Sequence, residues 1–192
     1  MNTTIIALAG PMGSGKSEAI KLLKNIATRD VILVKFAQPL YDIQEYIYDR
    51  VSDVHVRSSS FVKDRLLLQW LGTEWGRGTI DKDLWVKLWI AAVEDARRKD
   101  PSAIIVCDDC RFDNEAEVVK SIGGIIVKIS TSRNGERIDT SRAAHASESG
   151  ISDEFVHYIV ENNGTLEEYQ GQLNYLFGRL GLKGGSENEI SS

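Results

Sequence analysis

A three-layer α/β fold, with a parallel sheet of about five strands and helices on both faces, is what the sequence predicts. Three observations carry that expectation. Short β-branched apolar runs alternate with longer stretches of helical periodicity along the chain. Some runs are apolar without a break, as in Ala103-Ile104-Ile105-Val106, the pattern of strands covered on both faces. The first run opens into a glycine-rich loop that is followed directly by a helical pattern. With 42% hydrophobic and 27% charged residues in 192, the chain can bury a core, and global disorder is not expected.

The first strand is Thr4-Ile5-Ile6-Ala7-Leu8-Ala9. The loop after it, Gly10-Pro11-Met12-Gly13-Ser14-Gly15-Lys16-Ser17, matches the phosphate-binding pattern G-x-x-x-x-G-K-[ST] at every fixed position. Gly10, Gly13 and Gly15 permit backbone angles that side chains forbid, so the amides form a nest for anionic oxygens. A helix from Ser17 to Ile26, with Ala19, Leu22, Leu23 and Ile26 on one stripe, adds the positive end of its dipole. Lys16 supplies a point charge for β- and γ-phosphates, and the Ser17 hydroxyl suits Mg²⁺, a hard ion.

The second strand is expected at Val31–Phe36. Pro39 then sits in the first turn of a helix whose apolar face is Leu40, Ile43, Ile47 and Val51. After a polar loop, a serine of Ser58-Ser59-Ser60 is expected to cap a helix running towards Gly72 or Trp75, with Gly76-Arg77-Gly78 breaking it. The next helix is Leu84 to about Lys99, with an expected stripe of Leu84, Leu88, Ala91, Ala92 and Ala96. Its basic end, Arg97-Arg98-Lys99, complements the dipole. Strands follow at Ser102–Cys107, Gly124–Ser130 and His157–Glu161, with a short helix at Asn114–Ser121. Thr165 caps a last helix, with Leu166, Tyr169, Leu173, Leu176 and Leu180 turned inward. About 65 residues separate the second and third strands, far more than a crossover needs. The core is therefore assigned to residues 1–38 and 101–183 and a helical insertion to 39–100. A lid is expected at about 131–150 and a frayed tail at 184–192.

Ligands of open α/β sheets sit at the C-terminal ends of strands. The third strand ends there in Cys107-Asp108-Asp109-Cys110-Arg111-Phe112-Asp113-Asn114-Glu115. One carboxylate is placed to orient Mg²⁺ or its water, or to accept a sugar hydroxyl; the residues leave these open. Arg111 is suited to clamp a phosphate bidentately. Cys107 and Cys110 lack a second pair for a zinc site, so Cys107 is read as a small apolar residue. In the insertion, Arg65, Gln69, Gly72 and Thr73 share one helical face, opposite Leu66, Leu67 and Trp70. That face suits a phosphate, a base edge and a stacked ring; a plain amphipathic helix is the alternative. Arg133, Arg137 and Arg142 fall in the lid, where mobile arginines would neutralise transferring charge and exclude water. His145 is as readily a surface residue as a ligand, and His55 and His157 carry no usable signal.

The combination of Arg65-x-x-x-Gln69-x-x-Gly72-Thr73, Trp85, Asp109-x-Arg111-Phe112-x-Asn114-Glu115-Ala116 and His145-x-Ser147-Glu148 resembles the bacteriophage deoxynucleoside monophosphate kinases. The resemblance covers most of the chain, from the loop to about Gly150. It implies the P-loop kinase fold with a monophosphate-binding insertion and a lid. It implies transfer of the γ-phosphoryl of ATP to a dNMP, with ATP and Mg²⁺ as cofactors. The expected catalytic set is then Lys16, Arg111, Arg137 and Asp109. Gly10, Gly13, Ser14, Gly15, Lys16, Ser17 and Arg133 would hold ATP, with Ser17 on the metal. Arg65, Gln69, Gly72, Thr73, Trp85, Asp109, Arg111 and Glu115 would serve the dNMP.

A net charge of −5 argues against a nucleic-acid polymer as partner, since such binding needs a basic surface. No apolar run approaches the ~20 residues of a membrane helix, and no secretion signal is visible. A cytoplasmic protein, in the host cytoplasm if viral, is expected. A homodimer is allowed for, without a residue that points to it. A kinase for another small acceptor and a P-loop switch or motor ATPase are the competing readings. The Asn-Lys-x-Asp guanine motif of a GTPase is absent from the sequence.

Overall fold

The computed structural model describes residues 3–52, 64–132 and 150–183. Strand β1 (Thr4–Ala9) leads through the glycine loop into α1 (Lys16–Ile26), followed by β2 (Val31–Leu33) and α2 (Gln38–Ser52). Helix α3 (Arg65–Gln69) passes into a π-helical stretch, Trp70–Ile80, and α4 (Leu84–Lys99) returns to the sheet. Then come β3 (Ile104–Cys107), α5 (Asp113–Ser121), β4 (Ile125–Ser130), a 3₁₀ turn (Asp153–Phe155), β5 (Tyr158–Glu161) and α6 (Leu166–Arg179). All strand pairs are parallel, in the order β2-β3-β1-β4-β5. Ala7 lies opposite Cys107 on β3 and Ile126 on β4. The loops leaving β1 and β3 therefore open side by side at one edge of the sheet, and that edge is where the site lies.

β1 alternates between two cores. Ile5, Ala7 and Ala9 pack with Trp89, Val93 and Ala96 of α4 and with Ala116 and Val119 of α5. Ile6 and Leu8 pack with Ala19 and Leu23 of α1 and with Tyr169, Leu173 and Phe177 of α6. A period-two strand between two helix layers explains why these runs carry no polar residue. Thr165 and Glu168 form the capping box of α6: the Thr165 hydroxyl accepts from Glu168 N, and Glu168 accepts from Thr165 N.

Three expectations are corrected. The buried stripe of α4 is Trp85, Val86, Trp89, Val93 and Ala96, while Leu88 is 41% exposed and Ala91 and Ala92 face outward. Two tryptophans outweigh small aliphatics for burial: Trp89 stacks on Phe36 at 4.5 Å and donates Nε1–H to Val34 O at 3.0 Å. On α6, Leu166 is exposed and Phe177 takes a buried place. Leu166 lies in the first turn, ahead of the buried stripe that begins at Tyr169.

The third correction concerns Gly76-Arg77-Gly78, which does not break the helix. The chain runs through it as a π-helix, closed by Asp81 N donating to Gly76 O at 2.9 Å. Glycine lets the Trp85 ring lie directly on the backbone, since a Cβ at Gly76 would stand 2.4 Å from Trp85 Cζ2. A single π-helical turn often marks a functional site. The Ser58–Ser60 cap expected for this helix lies outside the described residues. Within the described residues, α3 is capped by Asp64, which accepts from Leu67 N at 3.0 Å.

Candidate active site

The phosphate loop is fastened from behind by the far end of the chain. Asn162 Nδ2 donates to Ser14 O at 2.9 Å, and Tyr169 Oη donates to Gly15 O at 2.9 Å. Gly10 and Gly15 have φ of 138° and 109°, in the region that favours glycine. A Cβ at Gly10 would lie 2.3 Å from Ile129 O, and one at Gly15 would lie 2.7 Å from Asn162 Nδ2. Glycine at both positions thus follows from packing as well as from angle. Lys16 folds over the mouth of the loop, with Nζ donating to Gly10 O at 2.8 Å and Pro11 O at 2.7 Å. Burial, and then the nearby Arg111 guanidinium, lower its pKa, while Asp108 and Asp109 pull it back up. Ser14 is fully buried and its Oγ has no hydrogen-bond partner. That leaves a hydroxyl at the base of the nest for an incoming anion.

The β3 loop places three charges around that mouth. Asp109 accepts from Phe36 N at 3.0 Å through Oδ1 and from Ala37 N at 2.9 Å through Oδ2. Its carboxylate thus grips the connection between β2 and α2, and Cys107 Sγ donates to Oδ1 at 3.2 Å. Asp108 Oδ1 lies 3.4 Å from Lys35 Nζ, yet this buried oxygen has no hydrogen bond: the contact is an ion pair without a bond's geometry. Arg111 is exposed. Both cysteines are buried and free, and burial pushes their thiols up, away from the reactive thiolate.

Glu115 is only 3% exposed and is spoken for on both oxygens. Oε1 accepts from Arg77 Nη2 at 2.6 Å; Oε2 accepts from Arg111 N at 2.7 Å and Phe112 N at 3.2 Å. Burial raises its pKa to about 7 against the pull of those donors. On the insertion, Arg65 reaches across to the phosphate loop, with Nη2 4.0 Å from Met12 Sδ. Thr73 is exposed and Gln69 half-buried on the same helical run. Trp85 is buried at 3% exposure and donates Nε1–H to Gly72 O at 2.8 Å. Trp85 and Gly72 therefore form one packed unit beneath that face. Lys16, Asp109 and Arg111 gather at the mouth of the phosphate loop, and Arg65 approaches the loop from the insertion at Met12. Arg133, Arg137, Arg142 and His145 lie outside the described residues.

Residues 14–173 match the family model described as deoxynucleotide monophosphate kinase. The chain belongs to that family. A putative deoxynucleotide monophosphate kinase of Acanthamoeba polyphaga mimivirus is 28% identical over 88% of this chain and 93% of its own length. The deoxynucleoside-5'-monophosphate kinase of Escherichia phage T5 is 30% identical over 58% of this chain and 46% of its own. Among solved structures, dephospho-CoA kinase from Campylobacter jejuni superposes with a TM-score of 0.55 at 13% identity, covering 94% of this chain and 98% of that one. TT1252 from Thermus thermophilus gives 0.51 at 16% identity, over 94% and 99%. The five-stranded parallel sheet is thus the P-loop kinase fold, and the chain is a phosphotransferase.

In this kinase three contributors escape a reading of the sequence. Asn162 looks like half of an Asn-Asn-Gly turn, Tyr169 like a core residue, and Arg77 like a break between two glycines. Only their long-range partners reveal them, 148, 154 and 38 residues away. Among the described residues no cluster of three His, Cys, Asp or Glu could hold a metal, and no helix is long and apolar enough to cross a membrane.

Proposed function

We propose that this kinase transfers the γ-phosphoryl group of ATP to a deoxynucleoside monophosphate, giving ADP and the diphosphate, with Mg²⁺ bound to the ATP. One observation carries the reading: Arg65 of the insertion meets Met12 at the tip of the phosphate loop. An arginine there faces an acceptor phosphate laid against the γ-phosphate, and its fork matches two phosphate oxygens. Residues 39–100 then form the monophosphate-binding insertion on the P-loop core.

The donors present suit Mg²⁺: the exposed Ser17 hydroxyl at the start of α1, and Asp108 with one buried oxygen that makes no hydrogen bond. When bound, the ion would neutralise charge between the β- and γ-phosphates. The protein's part is alignment. The nest and Lys16 hold the donor, Arg65 holds the acceptor, and Arg111 offsets repulsion between two anions. Asp109, through the Phe36 and Ala37 amides, sets the hinge from which the insertion springs. The acceptor is already an anion, so no general base is needed.

The deciding experiment is ADP formation with Mg-ATP and each dNMP and NMP in turn. Turnover dependent on a dNMP supports the reading; turnover only with a different metabolite, or hydrolysis indifferent to any acceptor, overturns it.

A further inference from the structure

We propose that Arg77 is a positioning residue for phosphoryl transfer, fastening the helical insertion to the loop that carries Arg111. The proposal rests on the placement of Arg111 at the transferring phosphate. Arg77 lies in the π-helical stretch, with its side chain 16% exposed. Its Nη2 donates to Glu115 Oε1 at 2.6 Å, and Nη1 donates to Asn114 Oδ1 at 3.3 Å and to Lys82 O at 3.5 Å. The guanidinium also lies over the Phe112 ring, with Cζ 3.9 Å from the centroid. Asn114 passes the connection on by donating to Asp83 Oδ1 at 2.8 Å.

The other half of the link is Glu115 Oε2, which accepts from the backbone amides of Arg111 and Phe112. One buried carboxylate thus joins a side chain of the insertion to the main chain of Arg111. A lysine could supply the charge but not the fork and stack. The same turn takes a third tie, as Ser152 N and Oγ donate to the two oxygens of Asp113, each at 2.7 Å. The insertion, the start of α5 and the segment at Ser152 therefore meet where Arg111 is set. A displacement of about 1 Å in such a group can cost on the order of 100-fold in rate.

The charged groups that act on Glu115 are Arg77 from the insertion and Asp109 from the β3 loop, with the Cys110 thiol beside it and the Arg111 main-chain amide on Oε2. Burial raises the pKa of this carboxyl, and the Arg111 amide and then the Arg77 charge pull it back down, so acid weakens the ion pair as Glu115 takes a proton.

The test uses Arg77→Met and Arg77→Lys, each alone and with Arg111→Lys, assayed with Mg-ATP and a dNMP the wild type accepts. We expect Arg77→Met to lower kcat about 10- to 100-fold, with KM for ATP held within about 2-fold. In the Arg111→Lys background the same change should cost less than about 3-fold, because both act through one group. The acid limb of the kcat–pH profile should move to higher pH in Arg77→Met. Arg77→Lys should fall between wild type and Arg77→Met, and it carries the comparison if the methionine variant fails to fold. Equal losses in both backgrounds, an unchanged kcat, or an unmoved acid limb would overturn the proposal while leaving Arg111 in place. Wild-type turnover in Arg111→Lys would instead remove Arg111 from the chemistry, and the proposal with it.

Discussion

Lys16 donates to two carbonyls of its own loop and sits among Arg111, Asp108 and Asp109. Its charge is partly desolvated for the sake of a ligand, so its loss should spare the fold. Lys16→Ala is expected to abolish turnover while leaving the melting temperature near wild type; normal activity would refute the assignment. Arg65 touches the loop at Met12 Sδ and is exposed. Arg65→Ala should raise KM for the dNMP far more than KM for ATP, and equal effects in steady-state kinetics would remove it from the acceptor side. Glu115 gives a pH signature. Its folded pKa of about 7 stands above the ordinary 4.5. The folded state therefore holds the proton more tightly, and the stability this provides is full below pH 4.5 and lost as pH rises through about 7. The exposed aspartates held low, such as Asp64, Asp95 and Asp113, act with the opposite sign, but below their ordinary 3.8. Wild-type protein should thus melt higher at pH 5 than at pH 8, whereas Glu115→Gln should show little slope in that window.

Among elements, helix α4 shows what periodicity can and cannot decide. Its limits, Leu84 to Lys99, follow from pattern and from the basic last turn. Its buried side does not, because aliphatic and aromatic residues trace stripes only a residue apart, and the stripes share Ala96. What decides is the partner surface, where Phe36 and the Val34 carbonyl await Trp89. Trp89→Ala should cost about 3–5 kcal/mol in chemical denaturation, and Leu88→Ser should stay within about 0.5 kcal/mol of wild type. Comparable losses would restore the aliphatic stripe. The π-helical stretch was illegible for a related reason. Local propensity puts a stop at two glycines, whereas the Trp85 ring packed on Gly76 and the Glu115 carboxylate bonded to Arg77, both from outside the segment, hold it helical.

For the molecule as a whole, the sheet and the phosphate loop could be read from residues alone. Strand–loop–helix at residues 4–26 is local chemistry, and uninterrupted apolar runs mean a sheet covered on both faces. Most of the cleft's chemical residues were legible as types: lysine, arginines and carboxylates at strand ends. Their division of labour was not. Asp109 grips backbone amides, Glu115 lies beneath the loop, and Trp85 packs under the insertion, and such roles depend on contacts that sequence spacing cannot express. A ligand that fits only the assembled cleft must stabilise it. ATP at 100 times its Kd should add about 2.7 kcal/mol of stability, read as a rise in melting temperature that Lys16→Ala abolishes.

The bonds from Asn162 to Ser14 and from Tyr169 to Gly15 span 148 and 154 residues. On the ribosome, the glycine turn emerges early and waits for most of the chain before its two clasps are made. A nascent polypeptide halted before Asn162 would display the whole nucleotide signature and still lack the braces that shape it, so competence to capture ATP should arrive late in synthesis.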